Sequence, residues 1–354
     1  MIISLVVVLM VALTRSLVIV PFGAGPITTI PGDAIPPGAA ATPDGGPVYR
    51  PSDRMMLGDA SISVTIPVGV SPGGVVVTPD GRRAYVANRG SNTVSVIDTE
   101  NNAVTTTIPV GAGPGGVSVT LDGRRAYVAN RGSNTVSVID TENNAVTTTI
   151  PVGAGPAGVS VTPGCRQVHV SNQNSNNLSV IDIAGHTVSA NIPVGSDPGG
   201  VAVTPGCRQA YVLNQNSNNV SVIDLRSNIV TAAIPVGTGP GGVAMTPDGR
   251  QVYVANQNSN NVSVIDTTRN FVTATIPVGT NPGGVTAIPD GLHVYVANRN
   301  SNTVSVIDTT RNTVTATIPV GTNPSGVTVT QDSHHTYVSN QNSDNVTVIE
   351  SRAG

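Results

Sequence analysis

The sequence predicts an all-β fold, a seven-bladed β-propeller of 42-residue, four-stranded blades. The tetrapeptide Ile-Pro-Val-Gly recurs with a constant spacing of 42 residues, at Ile66, Ile108, Ile150, Ile192, Ile234, Ile276 and Ile318. A period of about 40–45 residues is typical of four-stranded propeller blades. Within each unit, short runs rich in Val, Thr and Ile are separated by Gly, Asn and Asp, which is the pattern of strands and turns.

One unit shows how the four strands follow each other. The runs 116–120, 126–130, 135–140 and 145–152 are mostly β-branched and alternate with period two, as expected of half-buried strands. No run has a 3.6-residue apolar period, so no helix is expected in the array. We expect the first strand of each blade to lie innermost in the ring and the fourth to lie outermost.

The two ends of the array predict how the ring closes. The last unit stops after its third strand, 345–349, whereas the segment 61–68 reads as a fourth strand with no blade before it. Pairing this N-terminal strand with the C-terminal blade would close the ring and remove two exposed strand edges. We therefore expect deletion of 61–68 to destabilise the fold strongly.

The repeated strand motif resembles a known family. Tyr85-Val-Ala-Asn88 and its copies, together with the recurring Thr-Pro-Asp-Gly and Ile-Pro-Val-Gly, resemble the YVTN-type β-propeller repeat over residues 61–350. That family includes archaeal surface-layer proteins and bacterial exported propellers. The resemblance implies the propeller fold, but it implies little about activity, because propellers host unrelated functions.

The first 60 residues differ from the array. Residues 1–25 contain an apolar run that suits a signal peptide better than a spanning helix. An extracytoplasmic protein (secreted, periplasmic or on the cell surface) is therefore predicted, with a retained membrane anchor or a misassigned start as alternatives. Residues 26–60 are rich in Pro and Gly and hold a degenerate repeat, and 61–354 form the propeller domain.

The composition excludes several classes of protein. The net charge is -3, aromatic residues make up 3% of the chain, and all basic residues are Arg. This argues against broad electrostatic capture of nucleic acid and against stacking platforms for single strands. Two cysteines cannot form a four-cysteine zinc site or a disulfide-dense fold.

A candidate binding face follows from strand direction. The loops before the first strands and the loops between the second and third strands emerge on the same face of the ring. At the period of 42, that face carries Arg89, Arg131, Gln173, Gln215, Gln257, Arg299 and Gln341. These residues and flanking Asn-rich tracts either serve turn chemistry or present amides and arginines to a polar partner. Asp197 is the one ionisable residue in the loops before the first strands, and it joins the candidate set.

Nothing on this face suggests catalysis. One Asp does not supply the six to eight oxygen ligands of a calcium site, and no pair of titratable groups is present for general acid–base chemistry. We therefore assign no catalytic residue, no metal and no cofactor.

The two cysteines, Cys165 and Cys207, lie in equivalent turns of neighbouring units. A disulfide between them needs Cα atoms within about 7 Å and an exported protein, so the bonded and the free state both stay open.

The favoured hypothesis is a non-enzymatic, exported propeller that acts as a binding or cell-surface scaffold module. Its partner would be a protein or a cell-envelope polysaccharide, with any membrane contact made only through an uncleaved N-terminal segment. The alternative is a propeller enzyme, such as a quinoprotein-like dehydrogenase, a lactonase or a lyase. Nucleic-acid binding through the arginines of the opposite face is disfavoured, because Asp residues lie beside them.

Overall fold

The computed structural model describes residues 61–161 and 166–350, and the backbone of 16–19 and 28–31. The chain divides into two units, 1–56 with 352–354, and 57–351. In the first unit, strand β1 (Ser16–Ile19) pairs antiparallel with β2 (Thr28–Pro31). The signal-peptide-like segment and the degenerate repeat otherwise lie outside the described residues. No helix among the described residues is long and apolar enough to cross a membrane.

The second unit consists of seven four-stranded antiparallel sheets. Blade 1 is formed by β4 (Pro72–Val77), β5 (Arg83–Asn88), β6 (Thr93–Asp98) and β7 (Ala103–Pro109). Blade 2 is formed by β8 (Pro114–Val119), β9 (Arg125–Asn130), β10 (Thr135–Asp140) and β11 (Ala145–Pro151). Blade 3 is formed by β12 (Pro156–Val161), β13 (Gln167–Asn172), β14 (Asn177–Asp182) and β15 (Thr187–Pro193). Blades 4 and 5 are formed by β16 (Pro198–Val203), β17 (Gln209–Asn214), β18 (Asn219–Asp224) and β19 (Ile229–Pro235); and by β20 (Pro240–Met245), β21 (Gln251–Asn256), β22 (Asn261–Asp266) and β23 (Phe271–Pro277). Blades 6 and 7 are formed by β24 (Pro282–Ala287), β25 (His293–Asn298), β26 (Thr303–Asp308) and β27 (Thr313–Pro319); and by β28 (Pro324–Val329), β29 (His335–Asn340), β30 (Asn345–Glu350) and β3 (Ser61–Pro67).

The ring closes as the sequence predicts. Strand β3 pairs antiparallel with β30, from Ser61 opposite Glu350 to Pro67 opposite Asn345. The first strands of consecutive blades contact one another all the way round, and β28 of blade 7 contacts β4 of blade 1. The predicted seven-bladed architecture is therefore confirmed, with the innermost and outermost strands in the expected order.

The hydrophobic core lies between neighbouring blades. In one such cluster, Tyr85 and Val96 of blade 1 pack with Val119, Val128 and Ile139 of blade 2. The second strands contribute the largest buried share, because five of their six residues are buried in blade after blade. The four central residues of the third strands are buried as well. Each blade thus stabilises the next through a sheet-on-sheet contact rather than through a core of its own.

A tyrosine also joins neighbouring blades by a hydrogen bond. The Tyr85 hydroxyl of blade 1 donates to Asn144 Oδ1 in the last turn of blade 2, at 2.8 Å. The same bond, which we call the interblade latch, recurs in three further pairs at 2.8–3.0 Å: Tyr211 with Asn270, Tyr253 with Asn312, and Tyr337 with Asn102. In these four blades the buried hydroxyl therefore gains a partner and ties the second strand to the next blade.

The glycine of Ile-Pro-Val-Gly has a packing role. A Cβ on Gly111 would lie 2.5 Å from Ser133 Oγ and 2.6 Å from Asn130 Nδ2. Asn130 is fully buried and its Nδ2 donates to Ser137 Oγ at 2.9 Å, which pins the second strand to the third. Only glycine leaves room for this amide.

We expect Gly111→Ala to lower the free energy of unfolding by about 2 kcal/mol, because the new methyl group must displace the buried amide or overpack it. Urea unfolding at neutral pH measures this loss. Gly115→Ala is the matched control, since its nearest neighbour would be Ala157 O at 3.7 Å. An equal loss in both variants would contradict the packing role.

Candidate functional site

A cavity of about 510 Å³ lies at the mouth of the central channel. Its wall is made by the first residues of the innermost strands, and its rim by the residues that follow the second strands. All seven members of the predicted ring line it: Arg89, Arg131, Gln173, Gln215, Gln257, Arg299 and Gln341. We call this set the mouth ring.

Backbone hydrogen bonds fix each member of the mouth ring in the same place. The amide of Arg89 donates to Ser71 O at 3.1 Å, and the amide of Arg131 donates to Gly113 O at 3.1 Å. Each bond joins the hairpin after a second strand to the loop before the first strand of the same blade. The 42-residue repeat therefore delivers one side chain per blade to one rim.

Glycines let the first strands of neighbouring blades approach closely in the wall of the cavity. A Cβ on Gly74 would lie 2.6 Å from Gly115 O of the next blade, and one on Gly116 would lie 2.5 Å from Ala157 O. Because neighbouring first strands approach so closely, only side-chain-free residues fit there. The cavity is consequently lined by backbone and by small or apolar side chains, with Ser325 and the mouth ring as its polar elements.

The charge of the cavity is one-sided. Arg299 belongs to blade 6, Arg89 to blade 1 and Arg131 to blade 2, so the arginines flank Gln341 of blade 7. Gln173, Gln215 and Gln257 occupy blades 3 to 5. We call Arg299, Arg89 and Arg131 the arginine arc, and we call Gln173, Gln215 and Gln257 the glutamine arc. Among the residues described, no carboxylate lines the cavity.

Arg299 is the most confined of the arginines. Its Nε is buried and has no hydrogen-bond partner. A Cβ on Gly283 would lie 2.7 Å from this Nε, so the side chain rests against the glycine backbone. Burial lowers the pKa of the Arg299 guanidinium, and the positive charge of Arg89 lowers that pKa further. An arginine keeps its proton in a protein, so an unneutralised cation faces the cavity.

The glutamine amides are partly committed to one another. Gln215 Nε2 donates to Gln257 Oε1 at 3.2 Å, and Gln341 Nε2 donates to Ser71 Oγ at 3.1 Å. Gln173 Oε1 is buried without a partner, so it is an unused acceptor on the glutamine arc. Ser71 was not singled out from the sequence, although it is the one hydroxyl at its position among the seven loops.

Asp197 is not among the residues that line the cavity. It has a φ of 56°, like Ser71 at the equivalent position of blade 1. Its backbone N–H donates to Asn176 Oδ1 at 2.9 Å, and its backbone carbonyl accepts from the backbone N–H of Gln215 at 2.9 Å. The backbone of Asp197 thus serves the turn.

The Asn-rich tracts mainly serve turn chemistry. Asn134 and Asn218 adopt left-handed backbone with φ of 56° and 53°, and each Oδ1 accepts an amide of the next blade, from Gly155 at 2.8 Å and Gly239 at 2.9 Å. In blade 7 an aspartate takes this role, since Asp344 Oδ1 accepts the Ser71 amide at 2.7 Å. Asn tolerates that conformation better than most residues.

The opposite face carries mixed charge. Asp80 Oδ1 accepts from the Thr78 hydroxyl at 2.6 Å and from the Arg82 amide at 3.1 Å, and these bonds lower the pKa of the carboxyl. Arg250 lies 3.9 Å from Asp248, with both side chains well exposed. Exposed pairs of this kind contribute about 0–1 kcal/mol.

Within 61–161 and 166–350, no group of three or more His, Cys, Asp or Glu could hold a metal ion. Cys207 is disulfide-bonded, whereas Cys165 lies outside the described residues, so the Cys165–Cys207 pairing stays a prediction.

Comparisons with known proteins agree with this architecture. A family model described as YNCE-like beta-propeller matches residues 54–207 and 202–291, and one described as Lactonase, 7-bladed beta-propeller matches 267–353. No curated protein matches the chain. Among solved structures, hydrazine synthase of Kuenenia stuttgartiensis is similar with a TM-score of 0.74 and 25% identity, covering 80% of this chain and 96% of that one. The first family model spans more than half of the sequence, and this chain therefore belongs to the YNCE-like β-propeller family.

Proposed function

We propose that this protein is an exported binding module that takes up a segment of a cell-envelope polysaccharide at the mouth of its central channel. The observation that carries the proposal is the mouth ring, seven long polar side chains around one cavity of about 510 Å³. That volume lies within the range of ordinary ligand sites. Amide and guanidinium groups are suited to the hydroxyl and carboxylate groups of a saccharide.

The extracytoplasmic location is part of the proposal. Cys207 is disulfide-bonded, and disulfides persist mainly in oxidising compartments. The apolar N-terminal run is the predicted export signal. A rigid ring at the cell surface that holds envelope polymer would act as a scaffold, and a protein partner at the same mouth is the competing outcome.

The second candidate is a lactone-hydrolysing enzyme, which the lactonase family match over 267–353 favours. Hydrolysis of a lactone calls for a group that activates water, usually a carboxylate, an imidazole or a metal-bound hydroxide. Of the described residues, those that line the cavity include no carboxylate and no imidazole. The binding module is therefore the better-supported function.

A triple substitution tests the proposed function. We expect Arg89→Ala, Arg131→Ala and Arg299→Ala together to weaken binding to envelope polysaccharide at least a hundredfold, because each charged hydrogen bond contributes about 1.5–3 kcal/mol. Biolayer interferometry on a panel of purified polysaccharides measures the affinity. The matched control removes three arginines from the opposite face: Arg82→Ala, Arg124→Ala and Arg250→Ala.

Two results would overturn the proposal. The first is equal loss of binding in both triple variants, since a simple charge effect would then suffice. The second is turnover of lactones by the unmodified protein that the mouth substitutions abolish, which would establish the enzyme instead.

A further inference from the structure

The mouth ring is asymmetric, and this asymmetry specifies a ligand. The three arginines lie in blades 6, 1 and 2, whereas the glutamine arc occupies blades 3 to 5. A neutral polymer would be served equally well by seven amides. The cationic half of the mouth therefore calls for a ligand with a negative charge on one side.

The arginine arc lacks its counter-charge. Arg299 and Arg89 are close enough for the charge of one to lower the pKa of the other, and no acidic residue lines the cavity in the described part of the chain. The buried Nε of Arg299 has no acceptor. An anion beside the two guanidinium groups would neutralise this repulsion, which makes an unfavourable arrangement favourable.

The glutamine arc is suited to a different ligand group, one that both donates and accepts hydrogen bonds. Gln173 Oε1 is a buried acceptor without a donor. Gln215 Nε2 donates to Gln257 Oε1, which leaves Gln215 Oε1 and the Gln257 Nε2 group to meet a ligand. Hydroxyl groups both donate and accept, so they match this side of the cavity.

We propose that the mouth binds a hydroxylated carboxylate, namely a uronic acid unit of an acidic polysaccharide. Its carboxylate lies against Arg299 and Arg89, and its hydroxyls face the glutamine arc. This inference rests on the proposed function and names the chemical class of its ligand. A planar carboxylate accepts two parallel N–H bonds from one guanidinium, a geometry that a lysine could not offer.

Isothermal titration of the full chain with oligogalacturonate tests the inference. Its methyl ester, which has the same shape without the charge, is the matched ligand. We expect the ester to bind at least tenfold more weakly than the acid, and the affinity for the acid to fall as salt is raised. Arg299→Gln, which installs the residue that blades 3 to 5 carry, should weaken acid binding at least tenfold and ester binding by a clearly smaller factor, because the ester loses a hydrogen bond but no charge pair.

A stability measurement separates the charge from a general fault in folding. Arg299→Gln removes a confined, unneutralised cation, so the ligand-free variant should melt at the same temperature as the unmodified protein or higher. At equal concentration, oligogalacturonate should raise the melting temperature of the unmodified protein more than that of the variant. A variant that melts lower in the absence of ligand would show that Arg299 has a structural role instead.

Failure of the uronic acid inference and failure of the proposed function give different experimental results. Equal affinity for acid and ester, with both lost on Gln173→Ala, would overturn the uronic acid and leave the polysaccharide module in place. No binding of any saccharide would overturn both. Tighter binding of a sulfated oligosaccharide or of single-stranded DNA, with the same dependence on Arg299, would replace the carboxylate with a sulfate or phosphate group.

Discussion

Deleting residues 61–67 from the full chain is expected to abolish the cooperative unfolding transition of the propeller. Strand β3 pairs with β30 along its whole length. Ile66, only 2% exposed, packs in one cluster with Tyr337 and Val346 of blade 7 and with Val86 and Ile97 of blade 1. Burial and hydrogen bonds of such a strand together contribute about 5 kcal/mol or more. That is a large share of the stability of an ordinary domain.

A deletion of the same length provides the control for ring closure. Removing 51–57 leaves β3 intact, so urea unfolding of that variant should resemble that of the unmodified chain. Far-ultraviolet circular dichroism and gel filtration report whether each variant keeps its sheets and stays monodisperse. The bare edge of β30 should also make the 61–67 deletion prone to association. Two equally stable deletions would show that the ring holds without its closing strand.

Ring closure could be predicted from the sequence because the repeat keeps its spacing of 42 residues throughout the array. The array ends on a third strand at Glu350 and begins with an orphan fourth strand at Ser61, and only one pairing completes both. The membership of the mouth ring could be predicted from the same constant spacing. Residues at one position of every blade must meet at one rim, as Arg131 and Gln173 do.

Other features of the site depend on local geometry that the pattern does not contain. Asp197 shares a loop with residues that reach the mouth, but whether its side chain enters the cavity depends on the turn, where its φ is 56°. The burial of Arg299 depends on a contact with Gly283 that sequence spacing cannot reveal. The interblade latch has a signal in the sequence, because the separation of Tyr85 from Asn144 equals that of Tyr211 from Asn270, but the separation alone does not show that the two side chains meet.

Blade 3 lacks the interblade latch on both sides. His169 stands where other blades carry tyrosine; it is fully buried, and neither ring nitrogen has a partner. The residue that it would reach, Asn228, keeps an unpartnered Oδ1. On the other side, His186 stands in the sequence where the latch of Tyr127 would need Asn, and both the Tyr127 hydroxyl and His186 Nδ1 are unpartnered. Both interfaces of blade 3 therefore do without this hydrogen bond.

His169→Tyr is expected to stabilise the protein, and more so in acid. Burial lowers the pKa of His169 from 6.5 to about 4. The unfolded chain therefore takes up a proton below pH 6.5 that the folded chain refuses until about pH 4. Stability is lost as the pH falls through this window, by up to about 3 kcal/mol. The tyrosine removes that loss and adds a hydrogen bond to Asn228, which contributes about 1 kcal/mol at any pH.

Urea unfolding at pH 7, 5 and 4 separates the two effects, with His169→Phe as the matched control. Phenylalanine fills the site without a hydroxyl or a titrating group, so it should remove the acid-dependent loss without the gain at pH 7. Carboxylates such as Asp122, whose pKa is lowered mainly by the Thr120 hydroxyl, destabilise all three proteins equally in acid. The difference between variants therefore isolates His169. Identical losses from pH 7 to pH 4 in all three proteins would mean that water reaches the imidazole, and that blade 3 opens readily in the folded ring.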